Sequence, residues 1–419
     1  MGGAGGAGAP RSAVVVGAGI VGLSTAWFLQ EQGVEVTVVE RDRIAAGASW
    51  GNAGWLSPGL AVPLNEPAVL RYGMRALLDP RAPLYVPATT DTELLRFLAL
   101  FAAHCRPAAW DRALRGNLPL NRACLEAYDE LADGGVAAPT NSAPITALFA
   151  SERAAARLLV ELRHSADTGL PIEFSALTGE AARAAIPQAS EKVRAAVRLD
   201  RQRYVDPGAF THALADAVRR RGGTVVEGFE VTGLKQTRGS LSVHSTHGEV
   251  ETADTVVAAT GAWLGRQGRA WGIRVPLSAG RGYSFTVPLE EPVSGPVYLP
   301  EARVACTPYS GGLRVAGTME FRRPDAPLDR ARTDAIAASA LPYLDGVDLS
   351  ARSDEWVGPR PVTADGLPLI GATSVPGLYA AGGHGMWGLT HGPITGRLLA
   401  RAIATGRTPT ELRPFDPTR

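Results

Sequence analysis

The first forty residues carry a strand–turn–helix–strand pattern of apolar positions. Residues 13–16 are a continuous apolar run, typical of a strand buried on both faces. Apolar positions then recur with helical spacing over 20–32 and stop at Gly33, and residues 34–39 form a second strand-like run. A stretch rich in glycine, alanine and proline covers 45–67 and predicts an extended loop.

Residues from about 68 to 190 are predicted to be mostly helical. A capping box at 90–93 precedes an apolar pattern of helical spacing, and Ser151 is a candidate N-cap for another helix. An alternating α/β pattern returns at Asp206, which can cap a helix that Pro207 opens and two glycines end.

The last half of the chain is predicted to be rich in strands. The predicted strands are 224–231, 241–243, 249–251, 255–259, 283–287, 304–309, 313–316 and 378–381. A Ser310-Gly-Gly turn connects two of them within an antiparallel sheet over about 275–320. A final helix is predicted at 393–404, after a glycine-rich loop.

Composition and charge exclude several classes of protein. The 42 Lys and Arg residues balance 41 Asp and Glu, so no basic surface for nucleic acid is indicated. Three cysteines in no motif spacing argue against a disulfide framework, an iron–sulfur cluster or structural zinc, and we expect no metal. The longest apolar stretch is too short for a membrane span. We therefore predict a cytoplasmic protein with a flexible tail at 1–10, and leave peripheral membrane or partner-subunit contact open.

The spacing Gly17-x-Gly19-x-x-Gly22 lies between the first strand and the first helix. In a dinucleotide-binding unit these glycines allow a tight turn, approach of the backbone to a pyrophosphate, and close packing of helix on strand. Glu40 ends the next strand, where a carboxylate accepts hydrogen bonds from ribose hydroxyls and disfavours a 2′-phosphate. A glycine turn without a ligand is the alternative, and the context of strand, helix and acid favours a dinucleotide site.

Three further segments favour FAD over NAD. The small residues of 47–54 lie just beyond the ribose position, Thr260-Gly261 ends a strand, and the glycine-rich segment 380–385 precedes a helix. The positive N-terminal end of that helix can face the pyrimidine edge of a flavin. The predicted cofactor-binding residues are Gly17, Gly19, Ile20, Val21, Gly22, Glu40, Arg41, Ala48, Ser49, Asn52, Ala53, Gly54, Val231, Thr260, Gly261, Gly383, His384, Gly385, Met386, Gly388, Leu389 and Thr390.

These patterns predict an α/β fold with two domains. One is a Rossmann-type FAD-binding domain of the glutathione-reductase type, and the other is an α+β substrate domain with a mainly antiparallel sheet. The FAD-binding domain is predicted to be discontinuous, with residues 11–67, 195–274 and 352–419. The substrate-binding domain is predicted to comprise residues 68–194 and 275–351.

Four segments resemble the D-amino-acid oxidase superfamily. They are VVVGAGIVGLSTAWFLQEQGVEVTVVERD, GASWGNAGWLSPG, WVGPRPVTADGLPLIG and GLYAAGGHGMWGLTHGPITGRLLA. Within the superfamily the chain is most similar to bacterial D-amino-acid dehydrogenases, over residues of about 12–405. The resemblance implies noncovalent FAD and hydride transfer from the substrate Cα to flavin N5. The resulting imine would hydrolyse to a keto acid and ammonia or an amine.

The resemblance also implies one substrate-binding residue, and strand positions indicate further candidates. Arg360 matches the arginine that holds the substrate carboxylate, and a guanidinium suits this task because it binds a carboxylate with two parallel hydrogen bonds. Tyr283 and Arg281, on a strand predicted to cover the flavin, are candidates to contact the substrate, and Tyr309 on the neighbouring strand is another. His384 is expected near the flavin ring. A structural ion pair for either arginine, a core role for either tyrosine and a backbone contact for His384 are the alternatives.

The predicted substrate is a small amino acid: a D-amino acid, glycine or a cyclic imino acid. Oxidation of an α-hydroxy acid is a second possibility, because Arg360 would bind either carboxylate. A flavin subunit of an amine-oxidising complex is a third. The electron acceptor is left open among a quinone, another carrier and oxygen.

Overall fold

The computed structural model describes residues 9–69, 79, 81–237, 239–309 and 312–419. Within them the α-helices are α1 Ile20–Glu31, α2 Thr92–His104, α3 Pro107–Asp133, α4 Glu152–Asp167, α5 Gly179–Ala185, α6 Pro207–Arg220, α7 Leu264–Gly268, α8 Arg330–Ala340 and α9 Gly388–Thr405. None of these helices is both long enough and apolar enough to cross a bilayer.

The strands of the same residues follow in chain order. They are β1 Ser12–Val16, β2 Glu35–Val39, β3 Trp55–Leu56, β4 Leu84–Tyr85, β5 Asn141–Ser142, β6 Ile145–Phe149, β7 Phe174–Thr178, β8 Ala195–Leu199, β9 Arg203–Tyr204, β10 Thr224–Val226, β11 Val231–Thr237, β12 Ser240–Ser245, β13 Val250–Ala253, β14 Thr255–Ala258, β15 Leu277–Pro288, β16 Val297–Leu299, β17 Val304–Tyr309, β18 Gly312–Phe321, β19 Ser353–Thr363, β20 Leu369–Ala372 and β21 Leu378–Gly382.

The first strand lies inside a six-stranded sheet of order β10-β2-β1-β14-β21-β20. Only β20 runs antiparallel to its neighbour. Because side chains alternate along a strand, Val15 packs beneath helices α1, α6 and α9, and Val14 packs against the small sheet β11-β12-β13. The parallel strands therefore end together at one edge, which is where open α/β sheets bind ligands.

A nine-stranded mixed sheet has the order β19-β15-β18-β17-β16-β6-β8-β7, with β4 also paired to β18. On one face, Tyr283 and Phe285 of β15 pack with Ile336 of α8. By alternation Gly282 and Ser284 lie on the opposite face. There the Ser284 hydroxyl donates to the carbonyl of Gly51 at 2.8 Å, so this face is turned towards the nucleotide-binding half of the molecule.

Several predictions of local structure are confirmed. The side chain of Ser151 caps α4 by accepting from the amide of Ala154, and Asp206 caps α6 by accepting from Ala209. The antiparallel strands predicted over about 275–320 are present as β15, β17 and β18. The Ser310-Gly-Gly turn and the first eight residues of the predicted tail lie outside the described residues. The domain boundaries stay a prediction.

Four predictions of local structure were wrong. Asp91, one residue later than predicted, caps α2. Strands β5, β6 and β7 interrupt the region predicted to be mostly helical, and the strand predicted over 224–231 is two strands, β10 and β11. The last helix begins at Gly388 rather than at Pro393, because the carbonyl of Leu389, whose helical donor the proline removes, accepts from the Tyr128 hydroxyl at 2.7 Å instead.

Candidate active site

A cleft of about 1330 Å³, partly open to solvent, runs along the carboxyl ends of the parallel strands and reaches β19. The predicted cofactor residues that line it are Gly17, Gly19, Ile20, Val21, Glu40, Arg41, Ala48, Ser49, Asn52, Val231, Thr260, Gly261, His384, Gly385, Gly388 and Leu389.

The glycine turn forms the floor of this cleft. A Cβ on Gly22 would overlap the carbonyl oxygen of Gly17, so Gly22 is required for the turn itself. A Cβ on Gly19, by contrast, would meet only the Ser49 hydroxyl, at 3.2 Å. Gly19 therefore faces open space, and its missing side chain leaves room for a ligand.

Glu40 ends β2 beside the turn. Its carboxylate accepts from the amides of Ala18 at 2.8 Å and Asp42 at 3.1 Å. Burial raises the pKa of Glu40, and these two amides oppose the rise. Both oxygens keep a lone pair for ribose hydroxyls.

The two long helices that begin at the cleft, α1 and α9, have no side-chain N-cap. Of the other helices in the described residues, α3 and α7 also lack one, and five have a cap, supplied by Asp91, Ser151, Thr178, Asp206 and Asp329. The first-turn amides of a helix need an acceptor, and the helix dipole favours a negative one. The starts of α1 and α9 are thus suited to a pyrophosphate and to an anionic flavin edge, respectively.

Six predicted cofactor residues do not line the cleft. Thr390 instead connects α9 to β3, since its hydroxyl donates to the carbonyl of Trp55 at 3.0 Å. Gly383 and Met386 line a small neighbouring cavity. Ala53 and Gly54 contact Thr307 and Tyr309 of β17, and Gly22 lies within the turn.

Arg360 reaches the cleft from β19. Its Nη1 donates to the carbonyl of Thr318 at 2.9 Å, and a Cβ at position 282 would overlap its guanidinium. Glycine at 282 is therefore what lets the guanidinium lie flat on β15. Burial lowers the pKa of Arg360 to about 10, so it is a cation at neutral pH, and no carboxylate of the described residues pairs with it. Arg360 is partly buried, and a cation that is partly withdrawn from water without a counter-ion is unfavourable unless a ligand supplies one.

The structure does not bring Arg281 and Tyr283 to the cleft, which corrects their predicted contact with the substrate. Both lie on the face of β15 that α8 covers, because strand alternation separates them from Gly282. Arg281 forms a buried ion pair with Glu320 at 3.2 Å, and the Tyr283 hydroxyl donates to the same carboxylate at 2.6 Å. Burial and the neighbouring carboxylate raise the pKa of Tyr283.

Tyr309 is also outside the cleft lining. Its hydroxyl donates to the carbonyl of Asn52 at 3.3 Å, and burial raises its pKa. Because Asn52 does line the cleft, Tyr309 acts on the site by supporting this loop.

His384 lies between the cleft and a small cavity that His391 also lines. Nε2 of His384 lies 2.9 Å from the Thr395 hydroxyl, and Nε2 of His391 lies 2.6 Å from Oδ1 of Asn121. Burial lowers the pKa of each histidine to about 3, so both imidazoles are neutral at pH 7. His384 can therefore offer a neutral hydrogen bond but is no cation.

The two buried histidines, His384 and His391, should make the folded protein less stable in acid. The unfolded chain binds protons at these imidazoles below about pH 6.5 and the folded chain does not, so stability is full above pH 6.5 and falls as the pH drops towards 3. Each histidine contributes up to ~1.4 kcal/mol per pH unit. A His391→Gln variant should therefore show a smaller fall in Tm between pH 7 and 5 than the parent, whereas the same change at exposed His247 should leave the fall unchanged. An equal fall in both variants would refute the assignment.

Residues 12–402 match the model of the DAO family, described as FAD dependent oxidoreductase. The chain belongs to this family of FAD-dependent oxidoreductases. The family resemblance seen in the sequence is therefore confirmed, and so is the prediction that the chain is an FAD-dependent oxidoreductase.

Sequence and fold comparisons agree with this placement. The flavoenzyme is 34% identical over 417 residues to a D-amino acid dehydrogenase of Cereibacter sphaeroides, covering 94% of this chain and 92% of the relative. It is 32% identical over 412 residues to a D-amino acid dehydrogenase of Xanthobacter autotrophicus, covering 94% and 96%. Its fold is similar to that of glycine oxidase from Geobacillus kaustophilus, with a TM-score of 0.73, 22% identity and 98% of both chains covered. The predicted α/β fold class is thereby confirmed.

The residues of the cleft fit the FAD of this family. Three cleft-lining side-chain atoms are buried without a hydrogen-bond partner among the described residues: Thr260 Oγ1, Gln267 Oε1 and His384 Nδ1. Buried polar atoms are normally satisfied, so a ligand with several polar groups is expected here. Gly19 and the start of α1 would hold its pyrophosphate, Glu40 its ribose, and the start of α9 its flavin ring.

One residue that lines the cleft of the flavoenzyme was not predicted from the sequence. Trp263 lines it and stacks with Arg41, whose guanidinium carbon lies 3.6 Å from the ring centroid. The Trp263 indole also donates to Asp325 at 2.9 Å, and Arg266 pairs with the same carboxylate at 3.3 Å. Asp325 follows β18, so it connects the nine-stranded sheet to the rim of the cleft. The position of Trp263, two residues after the Thr260-Gly261 pair, was the signal in the sequence that could have indicated its place in the cleft.

Proposed function

We propose that the chain catalyses the oxidative deamination of a small amino acid, either a D-amino acid or one like glycine or an imino acid. The observation that carries this proposal is Arg360, a partly buried cation at the flavin end of the cleft with no carboxylate partner in the described part of the chain. An α-amino carboxylate would supply the missing charge. The dehydrogenase names of the two relatives point the same way.

Arg360 would fix the orientation of the substrate. Its Nη1 is held by the Thr318 carbonyl, so the guanidinium plane is set before the substrate arrives. Two parallel hydrogen bonds to the carboxylate then leave only rotation about the bond to Cα. FAD, when bound, would supply the hydride acceptor for the Cα–H bond.

The side chains near Arg360 favour hydride transfer from a substrate whose amine is neutral. His384 is a neutral imidazole at this end of the cleft, and the tyrosines predicted here lie outside the cleft lining. The acids that line the cleft, including Glu40, belong to the nucleotide end. We propose that water, rather than a side-chain base, takes the ammonium proton before the substrate is oxidised.

We further propose that FAD is held without a covalent bond. Cys105, Cys124 and Cys306 are all buried, and none of the three lines the cleft. Acid precipitation of the yellow protein should therefore leave the colour in solution. Colour that stays with the precipitate would contradict this proposal.

The products distinguish deamination from hydroxy-acid oxidation. With a D-amino acid and an artificial electron acceptor, the enzyme should release one keto acid and one ammonia per two electrons. Keto acid from an α-hydroxy acid, with no ammonia from any amino acid, would contradict the proposal. The rates at which a quinone, a protein carrier and oxygen reoxidise the reduced flavin would then identify the electron acceptor. Activity measured with and without lipid vesicles would test whether a cytoplasmic enzyme makes peripheral contact with a membrane.

A further inference from the structure

Strand β18 carries an irregularity directly beside Arg360. In its pairing with β15, Gly317 lies opposite Tyr283 and Glu320 lies opposite Arg281, and the register shifts between these pairs. Thr318 and Met319 together therefore stand opposite the single residue Gly282. This is a β-bulge, which commonly occurs next to active sites and redirects side chains.

Thr318 adopts a backbone conformation that does not suit it. Its φ is +61°, in the left-handed region. A bulge of this shape normally has glycine at that position, and a β-branched residue there is a strong outlier. The threonine side chain must therefore contribute something that glycine would not.

Both bulge residues lie on the face of the sheet that carries Arg360. Tyr283 and Arg281 mark the face covered by α8, and their partners Gly317 and Glu320 share it. The two residues between these partners lie on the opposite face. The sulfur of Met319 occupies the place that a Cβ on Gly280 would need, which confirms this orientation.

The carbonyl and the hydroxyl of Thr318 differ in whether they have a hydrogen-bond partner. Its carbonyl accepts from Nη1 of Arg360 at 2.9 Å. Its hydroxyl is buried and has no hydrogen-bond partner among residues that the structure describes, and the residue as a whole is only 9% exposed. A buried hydroxyl without a partner is unfavourable, unless a ligand accepts its proton.

We propose that the Thr318 hydroxyl is a second ligand of the substrate carboxylate, beside Arg360. The proposal rests on the proposed function, since it requires a carboxylate at Arg360. The bulge serves two purposes: its carbonyl holds the guanidinium, and its hydroxyl donates to a carboxylate oxygen. The unfavourable backbone conformation of Thr318 is the cost of directing its carbonyl to Arg360 and its hydroxyl to the carboxylate that Arg360 binds.

Three substitutions at this position separate the hydroxyl from the backbone. Thr318→Val keeps the shape and removes the hydroxyl, Thr318→Ser keeps the hydroxyl, and Thr318→Gly removes both the hydroxyl and the backbone strain. The readout is the Kd of a D-amino acid's keto-acid product, from the change it causes in the flavin absorbance of the holoenzyme. The amide of the same keto acid, which lacks the carboxylate, serves as the matched ligand.

We expect Thr318→Val and Thr318→Gly to weaken binding of the keto acid by about ten-fold or more, as for loss of a hydrogen bond to a charged group. Binding of the amide should change less than two-fold, and Thr318→Ser should bind nearly as the parent does. Thr318→Gly should also raise Tm by about 1–3 °C while it weakens binding. A purely structural role would not give these opposite signs.

Asp354 offers a matched control. It is an exposed residue with φ +51°, at a second register shift between β15 and β19. Asp354→Gly should raise Tm in the same way and leave the Kd of the keto acid unchanged.

Two results would overturn the proposal. If the parent enzyme binds the keto acid and Thr318→Val binds it equally well, Thr318 is not a ligand and the proposed function stands. If the parent binds no keto acid and no amino acid reduces its flavin, the proposed function fails and the role of Thr318 fails with it.

Discussion

A Gly19→Val variant should fold normally and bind FAD about a hundred-fold more weakly or worse. The added Cβ meets only the hydroxyl of Ser49, at 3.2 Å, so the protein itself can accommodate it. The rest of the valine side chain would project into the cleft, where the pyrophosphate must approach the start of α1. The loss should therefore appear in cofactor affinity and not in the fold.

The measurement is a titration of the apoprotein with FAD, followed by flavin fluorescence, with Tm recorded in parallel. Gly233→Val is a matched control, because a Cβ on Gly233 meets nothing within 4 Å and lies outside the cleft lining. Gly22→Ala is the opposite case, since its Cβ would overlap the backbone of Gly17 and should lower Tm. Gly19→Val protein with normal FAD affinity would refute the assignment of the pyrophosphate site.

An Arg360→Met variant should keep its FAD and lose about 10²–10³-fold in kcat/KM for carboxylate substrates, the effect of removing a charged hydrogen-bonding partner. Its stability should not fall, since the substitution removes a partly buried cation that has no ion pair with the described residues. Arg360→Lys should retain part of the activity, because it keeps the charge but loses the planar pair of donors.

Amino-acid amides provide the control for Arg360. These substrates lack the carboxylate, so Arg360→Met should change their kcat/KM far less than that of the parent amino acids. Equal losses for the two kinds of substrate would show that Arg360 acts through the fold. Unchanged kcat/KM for amino acids would remove it from the site altogether.

The nucleotide half of the site could be predicted from the sequence because its signals are local. The spacing of Gly17, Gly19 and Gly22, and the position of Glu40 at the end of β2, depend on contacts within one strand–helix–strand unit. Side-chain caps at Ser151 and Asp206 are local for the same reason.

The substrate half depends on facts that the sequence does not carry. Which face of β15 meets the cofactor is decided by the packing of α8, so Tyr283 and Arg281 were assigned to the wrong side. The role of Gly282 could not be seen without the Arg360 side chain lying on it. The backbone angle of Thr318 is likewise a property of the pairing of β15 with β18.

We infer that this flavoenzyme removes a hydride from an amino acid held by its carboxylate. Anaerobic mixing with D- and L-amino acids, cyclic imino acids and α-hydroxy acids, followed by absorbance near 450 nm, tests it without any electron acceptor. We expect a D-amino acid, glycine or an imino acid to bleach the flavin, and the corresponding amides to do so far more slowly. Bleaching by α-hydroxy acids alone, or equal bleaching by acids and amides, would contradict it.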